Sequence, residues 1–210
     1  MTELRKRFEV LPVIEGARVK GVVYGFGIKD SVSSLSGKQA KEYKHWKGML
    51  RRCYSPSRSG ISDNYLNCSV SDEFKYFSKF KTWCLEQDGF GIDGWEIDKD
   101  LLVKGNLVYG PDTCCFLPRE INSVLITQKR RRGSLPIGVY LNKRTGAYMG
   151  RVNVNCKMKN LGTTKTTIEA FQLYKNEKEK IIKDLAKKYR GLISDQAYLA
   201  LMNYKVSITD

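Results

Sequence analysis

The chain has 210 residues, 41% of them hydrophobic and 28% charged, which fits one large or two small globular domains and excludes disorder as the default state. Its formal net charge of +15 favours a polyanionic partner, with nucleic acid ahead of a membrane surface. No apolar run approaches the ~18 to 20 residues that span a bilayer, and MTELRKRFEVLPVIEG lacks the apolar stretch of a signal peptide, so no membrane partner and a cytoplasmic location are expected.

The positive charge is unevenly placed. Residues 1–122 hold 19 Lys+Arg against 16 Asp+Glu, and residues 123–210 hold 18 against 6. The six cysteines, Cys53, Cys68, Cys84, Cys114, Cys115 and Cys156, show no CxxC spacing. That argues against a structural zinc and a disulfide scaffold, and for reduced thiols acting as small apolar residues.

In chain order, FEVLPVI and ARVKGVVYGFGI predict short strands, with YGFG a turn because it lacks the third glycine and the following helix of a phosphate loop. From Lys41, the spacing of Tyr43, Trp46, Met49, Leu50 and Cys53 predicts a helix with a basic flank of Lys44, Lys47, Arg51 and Arg52. YSPSRSGISDN reads as a loop. Val70, Phe74, Phe77, Phe80 and Trp83 or Cys84 then predict a second helix with an apolar stripe, capped by Ser71.

WEIDKDLL is expected to be extended, KGN a turn, TCCFL a second strand, and Pro118 the start of a helix carrying REINSVL. Arg130, Arg131 and Arg132 lie in a charged linker suited to phosphate contact. IGVYLNK, GAYMGRVNVN and KMKNLGT predict three strands. On the middle one, Tyr148, Gly150, Val152 and Val154 share one face and Met149, Arg151, Asn153 and Asn155 the other. Thr166 or Thr167 caps a helix whose Ile168, Ala170, Phe171 and Tyr174 cover the sheet, and Ser194 or Asp195 starts a short final helix. The expected class is α+β.

IDKDLLVKGNLVYGPDTCCFLPREIN, with HWKGMLRRCY and VSDEFKYFSKFKTW before it, resembles the core of phage-encoded HNH-type proteins related to homing endonucleases. GVYLNKRTGAYMGRVNV and NLGTTKTTIEAFQLY resemble the ethylene-response-factor (ERF, APETALA-type) DNA-binding domain. The resemblance implies a degenerate ββα-metal core with flanking helices, followed by a small three-stranded antiparallel sheet packed on a helix. It divides the chain into an HNH-like domain with N-terminal strands at 1–128, a basic linker at 129–136, an ERF-like domain at 137–191 and a C-terminal helix and tail at 192–210. The partner implied is double-stranded DNA, and the setting the cytoplasm of an infected or host bacterial cell.

In HNH centres an acid of the first strand and a helix asparagine or histidine hold a divalent metal, while a histidine after the acid activates water. The matching positions here are Asp98 and Asn122 for the metal, possible as Mg²⁺ or another divalent cation, with Lys99 where the histidine should stand. The loop-steadying asparagine of the pattern corresponds to Thr113. An ordinary lysine is neutral to only about one part in a few thousand at pH 7, so a base here needs its pKa lowered by ~3 units, about 4 kcal/mol. Asp98 and Asp100 oppose that shift. Lys99 is therefore a poor base, though as a cation it can hold a phosphate. Asp100 is a second candidate for metal binding or water activation, or it pairs with nearby cations. His45, the one histidine, is either an alternative base or incidental.

From the ERF resemblance, Tyr140, Asn142, Arg151, Asn153 and Asn160 are expected at the groove, with Lys143, Arg144, Lys157 and Lys159 on phosphates. Three functions remain open on these grounds. They are a DNA-binding protein with a degenerate nuclease centre, an active metal-dependent endonuclease that nicks or cuts DNA, and an interaction or inhibitor protein directed at a host factor.

Overall fold

A computed structural model of the chain describes residues 21–33, 40–55, 57, 65–126, 133–154 and 157–210. The chain divides into two compact units, residues 1–82 and 83–210. The expected strand FEVLPVI and the arginines Arg130, Arg131 and Arg132 lie outside the described residues.

In the first unit, β1 (Val22–Val23) and β2 (Gly27–Ile28) form an antiparallel hairpin. Its turn falls in YGFG, with Tyr24 at φ 53° and Gly25 at φ 72°. Helix α1 (Lys41–Tyr54) buries Trp46, Met49 and Leu50. It closes on β2 at Gly27, where an added Cβ would sit 2.3 Å from Leu50 Cδ1. A short strand β3 (Ser69–Val70) precedes α2 (Asp72–Lys75), whose N-terminus is capped by Ser71 Oγ accepting from Phe74 N at 3.3 Å.

The single helix expected after Ser71 is instead two, α2 and α3 (Phe77–Glu86), because Tyr76 is extended at φ −90°, ψ 125°. The apolar stripe survives the break: Phe74, Phe77 and Phe80 are all buried. Trp46 joins them by donating its indole N–H to Phe74 O at 2.7 Å, which satisfies a buried polar group.

The second unit begins with a strand–loop–strand–helix. β4 (Trp95–Asp98) pairs antiparallel with β6 (Cys115–Pro118), with Asp98 opposite Cys115. Between them runs a long loop that contains the expected KGN turn, where Asn106 N donates to Val103 O at 3.0 Å and Gly105 takes φ 79°, followed by the short strand β5 (Val108–Tyr109). Helix α4 (Arg119–Leu125) follows, N-capped by Pro118, and packs on both β4 and β6. Trp83 and Phe90 close the core against Phe116 at ring distances of 5.6 and 5.4 Å.

Next, β7 (Val139–Leu141), β8 (Tyr148–Val154) and β9 (Lys157–Thr164) form a three-stranded antiparallel sheet in that order. Helix α5 (Thr167–Lys188) covers one face and starts with a capping box between Thr166 and Glu169. Val139, Val152, Ala170, Phe171 and Tyr174 form the buried contact, with Tyr148, Val154 and Leu161 packed beside it. Gly150 permits the close approach, since an added Cβ would meet Ala170 O at 2.8 Å. Helix α6 (Asp195–Met202), capped by Ser194, packs on α5.

Within residues 83–210, a set of contacts ties the β4–β6–α4 segment to the C-terminal elements. Glu120 on α4 accepts from Lys188 Nζ at 2.5 Å and from Tyr189 OH at 2.7 Å. Trp95 meets the Tyr189 ring edge-on at 6.2 Å. Lys104, in the β4–β6 loop, donates to Lys205 O at 2.9 Å and pairs with Asp210 in the C-terminal tail. Among the described residues no helix is long and apolar enough to cross a membrane.

Candidate functional site

The β4–β6 hairpin gathers Asp98, Lys99 and Asp100 at the end of its first strand. Asp98 Oδ1 accepts from Asp100 N at 2.9 Å and Leu101 N at 2.7 Å, so it shapes the chain's exit from β4. Burial holds the Asp98 carboxyl above its usual range, against the lowering effect of those two N–H groups, and nearby Asp100 pushes it the same way. No hydrogen bond reaches its Oδ2 among the described residues.

Lys99 turns away from solvent and is 4% exposed. Its ammonium donates to Asp100 Oδ1 and to Asn106 O, the latter at 2.9 Å, and lies 5.8 Å from the centre of the Tyr109 ring. A buried ammonium needs such partners to offset lost hydration. The same contacts occupy the position at which a base or a phosphate-binding cation was expected. Lys99 closes the loop instead.

Asn106 completes that closure, and sequence reasoning passed over it. Its Nδ2 donates to Lys99 O at 2.8 Å and Val108 O at 2.7 Å, and its Oδ1 accepts from Val108 N at 3.1 Å. Its place in the Gly-Asn turn was the available signal. Thr113 shares the loop-steadying role, with Oγ1 donating to Val108 O at 2.8 Å and accepting from Gly110 N at 3.1 Å.

Asn122 stands on α4 with its Oδ1 buried and, among the described residues, without a hydrogen-bond partner. A buried acceptor left open in this way asks for an ion, a water or a ligand. Asn122 Oδ1 and Asp98 Oδ2 are both oxygen donors, the kind Mg²⁺ takes. Their chemistry fits a hard divalent cation, while Asp100 has one oxygen engaged by Lys99. Among the described residues, no three His, Cys, Asp or Glu side chains gather into a metal-holding group.

Cys114 and Cys115 lie beside this cluster, and both are buried. Burial pushes the Cys114 thiol up to about 12 and the Cys115 thiol higher still. They are apolar packing at neutral pH, with negligible thiolate. His45 belongs to α1 in the other compact unit.

The three-stranded sheet presents a face that α5 does not cover. Tyr140, Met149, Arg151, Asn153, Met158 and Asn160 share it, through the pairs Tyr140↔Met149, Arg151↔Asn160 and Asn153↔Met158. The Arg151 guanidinium lies over the Tyr140 ring at 5.2 Å and contacts Met149 Sδ at 3.5 Å. That contact fixes the fork without cancelling its charge. Asn142, Lys143 and Arg144 occupy the β7–β8 turn, where Asn142 Oδ1 accepts from Arg144 N at 3.0 Å, making Asn142 a turn-former.

A bulge between Gly150 and Arg151 resets the pairing from Gly162 to Asn160. It lets Leu161 join the core while Asn160 faces outward. Lys157 and Lys159 pair with Val154 and Val152 and so lie on the α5 side, where Lys159 Nζ meets Glu177 at 2.7 Å.

The fold thus defines a mixed α+β class, small antiparallel sheets with helices packed on them. Compared with protein-family models, curated proteins and solved structures, the chain has no match.

Proposed function

We propose that this chain is a double-stranded DNA-binding protein of HNH and homing-endonuclease-like architecture, of phage type, whose nuclease centre is degenerate. The observation that carries the reading is the sheet face left open by α5, on which Arg151 is preset over Tyr140 between Asn153 and Asn160. A three-stranded sheet with an arginine fork and amides on one face suits base edges in a major groove. Lys143 and Arg144 in the adjoining turn suit phosphates.

Charge supports binding by this module over cleavage by the hairpin. Residues 83–126 hold eight acids (Glu86, Asp88, Asp93, Glu96, Asp98, Asp100, Asp112, Glu120) against three cations (Lys99, Lys104, Arg119). Residues 137–210 hold 14 Lys+Arg against 6 Asp+Glu. A polyanion is attracted to the second set and repelled by the first.

The test is duplex binding by the full chain across a salt series, with sequence selection on wild type and Arg151→Ala. Affinity should fall steeply with salt as counterion release is lost, and Arg151→Ala should change the preferred sequence. Weak binding at low salt that stays flat as salt rises sinks the reading.

The second reading, a Mg²⁺-dependent endonuclease, is favoured by the open Asn122 Oδ1. Asp98 and Asn122 would hold the ion, which would stabilise the phosphate and the leaving oxygen. Supercoiled DNA incubated with Mg²⁺ or Mn²⁺, with Asp98→Ala and Asn122→Ala as controls, checks it. No cleavage with either metal, or cleavage unchanged in both variants, removes it.

A further inference from the structure

Helix α1 carries cations on the side opposite its core. At ~100° per residue, Lys44, Lys47 and Arg51 fall within roughly 60° of arc, with Trp46, Met49 and Leu50 across the helix from them. The three cations are exposed and the three apolar residues are fully buried. The one acid of α1, Glu42, is 4% exposed and so does not stand among them at the surface.

Three further cations of this unit meet rings or a carbonyl. Lys29 lies over the Tyr43 ring at 5.1 Å and Lys75 over Phe26 at 5.4 Å, while Lys81 donates to the Val32 carbonyl at 3.2 Å. Rings and carbonyls hold an ammonium without supplying a counter-charge. In residues 83–210, Lys99, Lys104, Lys159, Lys175 and Lys188 each meet a carboxylate, while Arg151, Lys178 and Arg190 lie over tyrosine rings. Residues 1–82 hold 16 Lys+Arg against 8 Asp+Glu.

We infer that the Lys44–Lys47–Arg51 row of α1 is a second DNA contact, docking on the phosphate backbone of a duplex, and this rests on the DNA-binding reading above. Seven residues of helix advance ~10.5 Å, the axial extent of about three phosphates of one strand. Point charges in a row with no amide among them suit backbone and carry no base readout. An anionic membrane fits less well, because interfacial helices flank their cations with a deep apolar face, and the apolar face of α1 is already buried in the protein. The chain thus binds in two parts, with α1 adding affinity and the sheet adding selectivity.

The experiment uses the full chain carrying Lys44→Gln, Lys47→Gln and Arg51→Gln together, all at surface positions, with a circular dichroism melt to verify the fold. Binding to a labelled random-sequence duplex is measured by anisotropy over a KCl series. The slope of log K against log salt should shrink by ~2 to 3, with the selected sequence unchanged. The Lys44→Arg, Lys47→Arg variant should keep the wild-type slope. A wild-type slope in the triple variant overturns the α1 contact alone, whereas absence of salt-dependent duplex binding in the wild type overturns the DNA-binding reading and this inference with it. Loss of binding to phosphatidylserine vesicles with an unaltered duplex slope assigns the row to a membrane and likewise overturns it.

Discussion

Lys99 and Asn106 hold each other reciprocally: Lys99 Nζ donates to Asn106 O at 2.9 Å, and Asn106 Nδ2 donates to Lys99 O at 2.8 Å. Two residues seven apart thus close the loop between β4 and β6. Lys99 is thus part of the loop's frame.

A histidine placed at position 99 should therefore fail to create an enzyme. Lys99→His leaves Asn106 O without its ammonium donor and cannot reach the same partners. Denaturant melts should show a loss of about 1–3 kcal/mol, as for a buried acceptor stripped of its donor. Plasmid incubated with the variant and Mg²⁺ should remain supercoiled. A stable Lys99→His protein that nicks DNA would show that the position faces the substrate.

Asp98 is held above the usual carboxylate range by burial, so its folded form binds a proton more readily than its unfolded form. Its contribution to stability is then fully present below the unfolded value of ~3.9 and is lost as pH rises through the folded value. Asp98→Asn removes the buried charge and retains an oxygen for the Asp100 and Leu101 N–H groups. Its Tm should exceed that of the wild type at pH 7, with the gap closing toward pH ~4. If Asp98 holds Mg²⁺, added Mg²⁺ should raise the Tm of the wild type alone. A variant less stable than wild type at pH 7 would contradict the assignment.

Glu120 behaves in the opposite sense. Hydrogen bonds from Lys188 and then Tyr189 hold its carboxyl below the usual range. The stability it contributes is present above the unfolded value of ~4.3 and is lost as pH falls through the folded value. Glu120→Gln should melt below the wild type at pH 7, and the two curves should converge under acid conditions below pH ~4. A difference that persists unchanged into acid would mean that packing, and not ionisation, ties α4 to α5.

Gly150 sets the distance between sheet and helix. Alanine there would place Cβ 2.8 Å from Ala170 O and 3.2 Å from Leu173 Cβ. Gly150→Ala should cost about 1–3 kcal/mol as α5 is pushed outward. Duplex selectivity should weaken with it, because the backing of Arg151 moves.

Lys159 separates the two levels of reading. On sequence it is a phosphate contact, but its carboxylate partner Glu177 screens it on the α5 side of the sheet. Lys159→Ala should alter the salt slope by less than the ~0.9 expected for one full phosphate contact. A full-sized loss in titrations on the same duplex would place Lys159 on DNA.

Much of the fold was legible because it is written in local periodicity. Trp46, Met49 and Leu50 recur at helical spacing, Tyr148 to Val154 alternate, and Thr166 or Thr167 marks a helix start. The break at Tyr76 was not legible, since Phe74, Phe77 and Phe80 suit one helix as well as two. Neither was the bulge at Leu161, which decides the face on which Lys157, Lys159 and Asn160 stand. Asp98 and Asn122 could be named from the pattern, while the loop partners of Lys99 could not.

By itself, then, the sequence determined the element types, the α+β class, the apolar faces and the concentration of positive charge, because each depends on residues within a turn or a strand of one another. Tertiary structure alone decided that Lys99 is enclosed, that Asn122 Oδ1 is left open, and that Glu120 and Lys104 tie the hairpin to the C-terminal module. Those outcomes depend on groups between 7 and 106 positions apart in the chain, whose meeting is fixed by packing and by the need to satisfy buried charge.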